Sequence, residues 1–445
     1  MRTWLHQHFV LLTAVLCLAG YVYAYTEGRA GTPIRSDAFS YYVYLPSFLL
    51  YHDLTLQSVA DDCCGGEFPS WTGLTRWPHT HRWVNVHPIG EAILITPFFV
   101  AAHLLTRWTN LTPDGYTPYY QHAAGLAGLF YGVFGLWCLR RMLLRHFTPG
   151  VTHATLATLL LGTSLFHYVT FDSTWSHAFS FALFSLLLDI ADRWTPDRDR
   201  GAVSIGVLSG LIVLVRHTNV FIPIAVIGTL AVADPSRGFR LPPSREALRR
   251  TAAALAKAGQ VEGVRLALTA ALIATIVVLP QLFLYESATH RWFVNSYGSD
   301  RFTFASPHIA GVLVSARRGL FFWAPVLVFA IAGLFMMPAT LRRWAPPMLA
   351  ILALEIYLIA SWVEWQFGAS YGHRGFVDVY PLFALGLASL YARIAHRPVV
   401  RPAIAALVVG LCALSTFQML QYWHGVMPMI DITWRQYTSV FLRPW

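Results

Sequence analysis

The sequence predicts an all-α polytopic membrane protein of about 11 transmembrane helices, with amphipathic juxtamembrane helices in its first external loop. Three observations carry this. Of the 445 residues, 56% are hydrophobic and only 12% charged, roughly half the charge a water-facing surface uses. Apolar stretches able to span about 30 Å of hydrocarbon as helix recur along the chain. The basic residues, almost all arginine with Lys257 the single lysine, cluster between those stretches. The formal charge of +10 therefore reads as membrane topology, not as a nucleic-acid surface.

The first apolar run, 9–24, follows Arg2 and ends in Val22-Tyr23-Ala24. That end also fits a signal-peptide cleavage site, but the many spans that follow favour an uncleaved first helix. The stretch 25–87 is then an external loop. At helical period, 37–51 places Asp37, Tyr41, Tyr44 and Phe48 on one face, an aromatic helix suited to the membrane surface. Ser36 or Asp37 is its N-cap, and for Asp37 that reading stands beside a functional one.

Segment 88–106 holds Pro88, Gly90, Glu91, Pro97 and His103. It is expected to be re-entrant or interfacial, because the arginine pattern closes only if one early segment does not cross. Further spans are expected at 119–139, 152–170, 176–191, 203–215, 218–233, 264–284, 319–336, 346–363, 376–394 and 402–420. Those at 203–215 and 218–233 are either two crossings meeting at Arg216-His217 or one broken helix. Arginine clusters at 140–145, 193–200, 342–343 and 393–401 mark the cytoplasmic side. So does the basic stretch 234–263, read as a loop facing anionic lipid. The N-terminus is then inside, and 171–175, 216–217, 285–318, 364–375 and the C-terminus are outside. The whole chain, 1–445, reads as one membrane domain.

Cys17, Cys63, Cys64, Cys138 and Cys412 form no disulfide framework, and the adjacent pair Cys63-Cys64 has a spacing that strains a bridge. Asp61, Asp62, Cys63, Cys64, Glu67, His79, His81 and His87 are metal-ligand types without a ligand spacing. A divalent metal stays open as a cofactor on that ground alone. No nucleotide, flavin or haem motif occurs.

The remaining polar residues gather on the expected outer side. Asp172 and His177 flank the start of one apolar run, where caps and the helix dipole also explain them. Arg216 interrupts another run; a buried arginine beside a helix start is a seat for phosphate, and snorkelling to headgroups is the plainer alternative. The loop from Trp362 to Asp378 contains Glu364, Trp365, Tyr371, His373 and Arg374. There Arg374 and Asp378, four apart, are spaced to pair on one helix. Glu355 is a carboxylate inside an apolar span, which needs a partner or a cavity.

These residues carry a resemblance. Ser36-Asp37-Ala38-Phe39-Ser40-Tyr41-Tyr42, Asn85-Val86-His87-Pro88-Ile89-Gly90 with Pro97-Phe98, Asp114-Gly115-Tyr116, Trp175-Ser176-His177-Ala178, Arg216-His217-Thr218-Asn219, Arg318-Gly319-Leu320 and Tyr371-Gly372-His373-Arg374 succeed one another in this order. Together they resemble the GT-C superfamily of membrane glycosyltransferases, of the dolichyl-phosphate-mannose mannosyltransferase-like kind in its bacterial form. The resemblance implies a polyprenyl-phosphate sugar donor and transfer on the outer face of a bacterial inner membrane. It implies Asp37 as the catalytic carboxylate and Arg216, His373 and Arg374 as the holders of the donor phosphate. The acceptor would be a lipid, a glycan or a protein. The sequence lacks the acidic pair common at the first carboxylate.

The chemistry agrees with that reading. Deprotonating an acceptor hydroxyl needs a base, and a carboxylate in a low-dielectric pocket has its pKa pushed upward into a useful range. A leaving phosphate needs cations. Tyr41, Tyr44 and Tyr371 offer faces for sugar rings, and Asp172, His177 and Glu364 offer polar contacts. The competing expectation is a transporter or flippase for lipid-linked saccharides, which would carry its polar residues at mid-membrane.

Overall fold

The computed structural model describes residues 2–195, 199–231, 245–295 and 302–445, with backbone alone for 2–6, 199–200 and 245–260. The chain opens with α1 (Arg2–Thr26), followed by the short helices α2 (Asp37–Tyr42), α3 (Tyr44–Leu49) and α4 (Gln57–Cys64). Two three-residue strands, β1 (Leu74–Arg76) and β2 (Trp83–Asn85), form an antiparallel hairpin with Thr75 opposite Val84. Then come α5 (Gly90–Arg107), α6 (Pro118–Leu143), α7 (Pro149–Leu161), α8 (Leu165–Thr170), α9 (Ser176–Arg193), α10 (Asp199–Val215) and α11 (Phe221–Ala231). The chain continues through α12 (Arg245–Thr289), α13 (Ile309–Val314), α14 (Leu320–Trp323), α15 (Val326–Leu334), α16 (Ala345–Ser361), α17 (Tyr380–Ala395), α18 (Val400–Trp423) and α19 (Trp434–Val440).

Six helical stretches among the described residues are long and apolar enough to cross a membrane. They are Gln7–Thr26, Pro118–Leu143, Val261–Thr289, Arg342–Ser361, Arg374–Ala395 and Val400–Trp423. With their apolar outward faces they make this a multi-pass helical membrane protein. The other expected spans are shorter or broken helices. The stretch 152–170 is split at Gly162–Ser164, where the Thr163 hydroxyl donates to the Leu159 carbonyl (2.5 Å) and accepts from the Leu165 amide (3.1 Å). Such side-chain bonds compete with the helical ladder. The stretch 319–336 is split by Ala324-Pro325, as a proline without an amide hydrogen requires. Segment 88–106 is an 18-residue helix, α5, packed on α6 and α10.

The two short segments around Arg216 are two helices. Ideal Cβ atoms at Gly206 and Gly210 would meet Ile273 and Val277, whereas one at Gly263 would meet Ala231. Thus α10 runs parallel to α12 and α11 antiparallel to it, and the chain reverses at Arg216. Of the stretch 234–263, residues 234–244 lie outside the described residues, and 245–263 forms the start of α12 instead of a loop.

The core consists of α6 against α9, α10 against α12 and α15 against α17. Close approach is enabled by missing side chains: a Cβ at Gly128 would strike the Ser173 carbonyl, and one at Gly386 would strike that of Ala330. Small residues at such contacts let backbones touch. At the other end of α6 and α9, Asp189 is fully buried and bridges Arg145 (2.8 Å), Arg193 (2.7 Å) and Arg141 (3.4 Å). These arginines therefore lock α6 and α9 together.

Two expectations are overturned by the fold. The stretch 37–51 is not one surface helix but α2 and α3, and Tyr41, Tyr42, Tyr44 and Leu45 are buried. Their aromatic stripe packs against the protein: the Tyr42 hydroxyl donates to the Gly115 carbonyl (2.6 Å) and that of Tyr44 to the His87 carbonyl (2.8 Å). Cys63 and Cys64 are joined in a disulfide, at the last turn of α4, where Gly65 leaves the helix with φ 63° and the backbone is freed from a following turn.

Candidate active site

The segments that bear polar residues converge at one end of the bundle around a two-lobed cleft. A narrow lobe of about 120 Å³ adjoins a wider one of about 450 Å³. Asp37, His87, Trp175, Arg216, Phe367 and Arg374 line both. The narrow lobe adds Tyr41 and His177. The wider lobe runs out along Glu355, Leu358, Ile359, Trp362 and Phe302, with Glu364 at its edge.

Asp37 opens α2 after Ser36, which holds φ 50°, a strained value for a residue with a Cβ. Ser36 makes no capping bond, and the Asp37 carboxylate is turned to Arg374, with Oδ2 2.8 Å from Nη1. The cap reading of both residues is thus displaced by an ion pair. Burial raises the Asp37 pKa, but Arg374, His87 and His177 more than offset it and hold it below the ordinary carboxylate value. This reverses the upward shift expected from a dry pocket, because the expectation left out the cation.

Arg374 follows Gly372, whose φ of 62° turns the loop back toward the cleft. Its guanidinium also lies 4.4 Å from the Trp175 ring centroid and 5.6 Å from that of Phe367, two cation–π contacts that keep it at the cleft. Arg374 does not pair with Asp378 four residues on. Asp378, fully buried, instead accepts from Asn219 Nδ2 (2.9 Å) and lies 2.9 Å from His177 Nδ1 and 3.2 Å from Arg216 Nη1. One carboxylate thereby ties the start of α9, the turn at Arg216 and the segment between α16 and α17 together. The 3-10 turn Arg374–Val379 points the two side chains in different directions, which an α-helical i, i+4 spacing would not.

His87 is held by Ser40 Oγ at 2.6 Å from its Nδ1 and by Asn85 Oδ1, which accepts from its amide. Burial, assisted by Arg374 and Arg216, lowers its pKa to about 4 against the opposing pull of Asp37, so its ring is neutral near pH 7. His373 does not line the cleft; its ring lies between Phe367 and Phe376, with centroids at 5.8 and 4.9 Å. Burial and then Arg318 and Arg374 lower its pKa to about 3, so it brings no cation for a phosphate.

Three other expected contact residues lie away from the cleft lining. Asp172 pairs with Arg35 (2.5 Å) and His167 (2.8 Å), and His167 accepts from Trp423 Nε1 (2.8 Å). Tyr371 is buried with its hydroxyl on the Ser415 carbonyl (2.5 Å). Tyr44 borders a separate small cavity beside Gln281 and Tyr285. Tyr41, His177 and Glu364 do line the cleft. Among the described residues no three His, Cys, Asp or Glu side chains converge as metal ligands. Asp62 is bound by Tyr51 and Glu67 by Arg76.

Sequence reasoning missed Asp378 as the hub, Trp175 as the platform for Arg374 and His87 as a cleft residue. For His87 the signal was present in Asn85-Val86-His87-Pro88.

The fold and cleft define a class: a helical membrane protein with an acid–arginine site at one end of its bundle. No family model matches the sequence, and no curated protein matches it. Two solved structures share the fold. One is the archaeal oligosaccharyltransferase AglB from Archaeoglobus fulgidus in complex with an inhibitory peptide and a dolichol-phosphate. The other is the Archaeoglobus fulgidus oligosaccharyltransferase in its apo form. Each gives a TM-score of 0.51 at 13% identity, covering 98% of this chain and 58% of the solved one. At this identity the likeness is one of fold alone. The chain spans little more than half the length of these structures.

Proposed function

We propose that the chain is a membrane glycosyltransferase that moves a sugar from a polyprenyl-phosphate-linked donor to an acceptor hydroxyl on the outer face of a bacterial inner membrane. The observation that carries this is the Asp37–Arg374 ion pair, with Arg216 lining the same cleft, in a fold shared with an oligosaccharyltransferase.

The donor phosphate would enter between Arg374 and Arg216, the two guanidiniums of the cleft, while its prenyl tail follows Leu358, Ile359, Trp362 and Phe302 in the wider lobe. A phosphate competes with Asp37 for Arg374, since both accept charge-assisted hydrogen bonds. As Arg374 turns to the phosphate, Asp37 loses the cation that depresses its pKa and becomes a stronger base. It then takes the proton of the acceptor hydroxyl as that oxygen bonds to the anomeric carbon. The bond from that carbon to the phosphate oxygen breaks, and the negative charge passes to the polyprenyl phosphate, where the arginines stabilise it. Attack opposite the leaving group inverts the anomeric centre. His87 and Tyr41 border the space left for the sugar. No step is assigned to a metal.

The test is transfer from labelled polyprenyl-phosphate sugar in membranes containing the full chain. Product with the wild type and its loss in Asp37→Asn are expected; undiminished product in that variant refutes the assignment. A labelled lipid that crosses sealed vesicles unchanged would point to a flippase.

A further inference from the structure

A second basic site lies outside the cleft and shares no residue with it. Helices α1 and α18 end side by side: the Arg29 amide donates to the Trp423 carbonyl over 2.9 Å, and their apolar stretches stop at Thr26 and Trp423. Residues 440–445 fold back onto the same place, because Gln421 Nε2 donates to the carbonyls of Val440 and Arg443, each at 2.7 Å. Together these segments line a shallow cavity of about 400 Å³ with Arg29, His424, Gly425, Val426, Arg443 and Trp445.

Its geometry is built, not incidental. The Trp445 ring lies parallel to His424 at 5.1 Å, and His424 Nε2 is 2.7 Å from the Tyr23 hydroxyl. Gly425 takes φ 71°, and a Cβ there would come within 2.9 Å of Arg29 Nη1, so the guanidinium rests on bare backbone. Among the described residues neither Arg29 nor Arg443 has an ion pair, and neither side chain has a hydrogen-bond acceptor. Two uncompensated guanidiniums therefore face one cavity. Elsewhere along the two helices, Leu12, Val15 and Val22 of α1 and Leu407 and Val409 of α18 are exposed.

We propose that this cavity binds the headgroup of an anionic phospholipid. Guanidinium pairs match phosphate oxygens bidentately. Tryptophan and tyrosine at helix ends mark the headgroup level of a bilayer, which is where a lipid phosphate resides. The exposed apolar faces of α1 and α18 provide surface for the acyl chains, which a free anion would not use. This lipid site stands apart from the transfer reaction and does not depend on it.

Native mass spectrometry of the detergent-purified full chain tests it, with phosphatidylglycerol, phosphatidylcholine and inorganic phosphate as separate probes. Phosphatidylglycerol should be retained over phosphatidylcholine and should raise the thermal midpoint; inorganic phosphate at the same concentration should do neither. Arg29→Gln with Arg443→Gln should weaken retention about tenfold or more, the scale of one lost charge-assisted pair. The gentler Arg29→Lys with Arg443→Lys keeps the charge and should still weaken it, through loss of bidentate geometry. Retention equal to wild type in either variant overturns the proposal. So does an equal effect of inorganic phosphate, which would make it a soluble-anion site.

Discussion

Arg374 Nη1 lies 2.8 Å from Asp37 Oδ2, linking the start of α2 to the segment between α16 and α17 across the cleft. The pair holds the proposed base ionised yet masks it, so its occupancy by substrate decides whether the carboxylate is available.

Asp37→Asn preserves shape and removes the proton acceptor. Transfer should fall by about 10²- to 10⁴-fold, the usual weight of a general base, while the thermal midpoint falls only by the share that the lost ion pair with Arg374 contributed. Initial rates from labelled donor, read beside a melting curve, separate the two effects.

The ion pair also sets a pH dependence. The folded-state pKa of Asp37 is depressed, so its contribution to stability is complete above the unfolded carboxyl value and is lost as pH falls through the lower folded value. In Arg374→Gln burial acts with less opposition, and the pKa rises. The acid limb of kcat/KM should then move to higher pH than in wild type. A limb that stays in place would mean that Asp37 is not the group being read.

Asp378 is fully buried and partnered by His177, Asn219 and Arg216. Asp378→Ala leaves Arg216 without its buried counter-charge, a change that costs about 3–5 kcal/mol in comparable pairs. A lower thermal midpoint is expected, with a weaker apparent affinity for donor as Arg216 loses its orientation. Asp378→Asn, which keeps the Asn219 and His177 contacts within reach, should be milder on both counts.

The close backbone contacts give a test of packing. Gly128→Val and Gly386→Val each insert a side chain where a neighbouring carbonyl stands. Each should destabilise by about 1–3 kcal/mol or more, read as loss of monodisperse protein or a lower midpoint, whereas Gly410→Val, with open space around its Cβ position, should not.

Local composition was enough to specify the helical, multi-pass class, though not the number of long spans. Scarce charge and recurrent apolar runs dictate a multi-pass helical chain, since hydrocarbon admits helices with satisfied backbones. The order of short motifs singled out Asp37, Arg216 and Arg374, all three of which line one cleft. The partnerships, by contrast, emerge only from packing in three dimensions. Spacing suggested Arg374 with Asp378, yet Arg374 takes Asp37 and Asp378 takes Arg216. His373, adjacent to Arg374, turns into an aromatic core, and Tyr44, Tyr371 and Asp172 serve internal bonds. The reason is physical: helical period predicts which neighbours share a face, but an ion pair forms wherever packing brings two desolvated charges together. The direction of the Asp37 pKa, and with it the acid–base chemistry, came from a residue 337 positions away, 374 − 37.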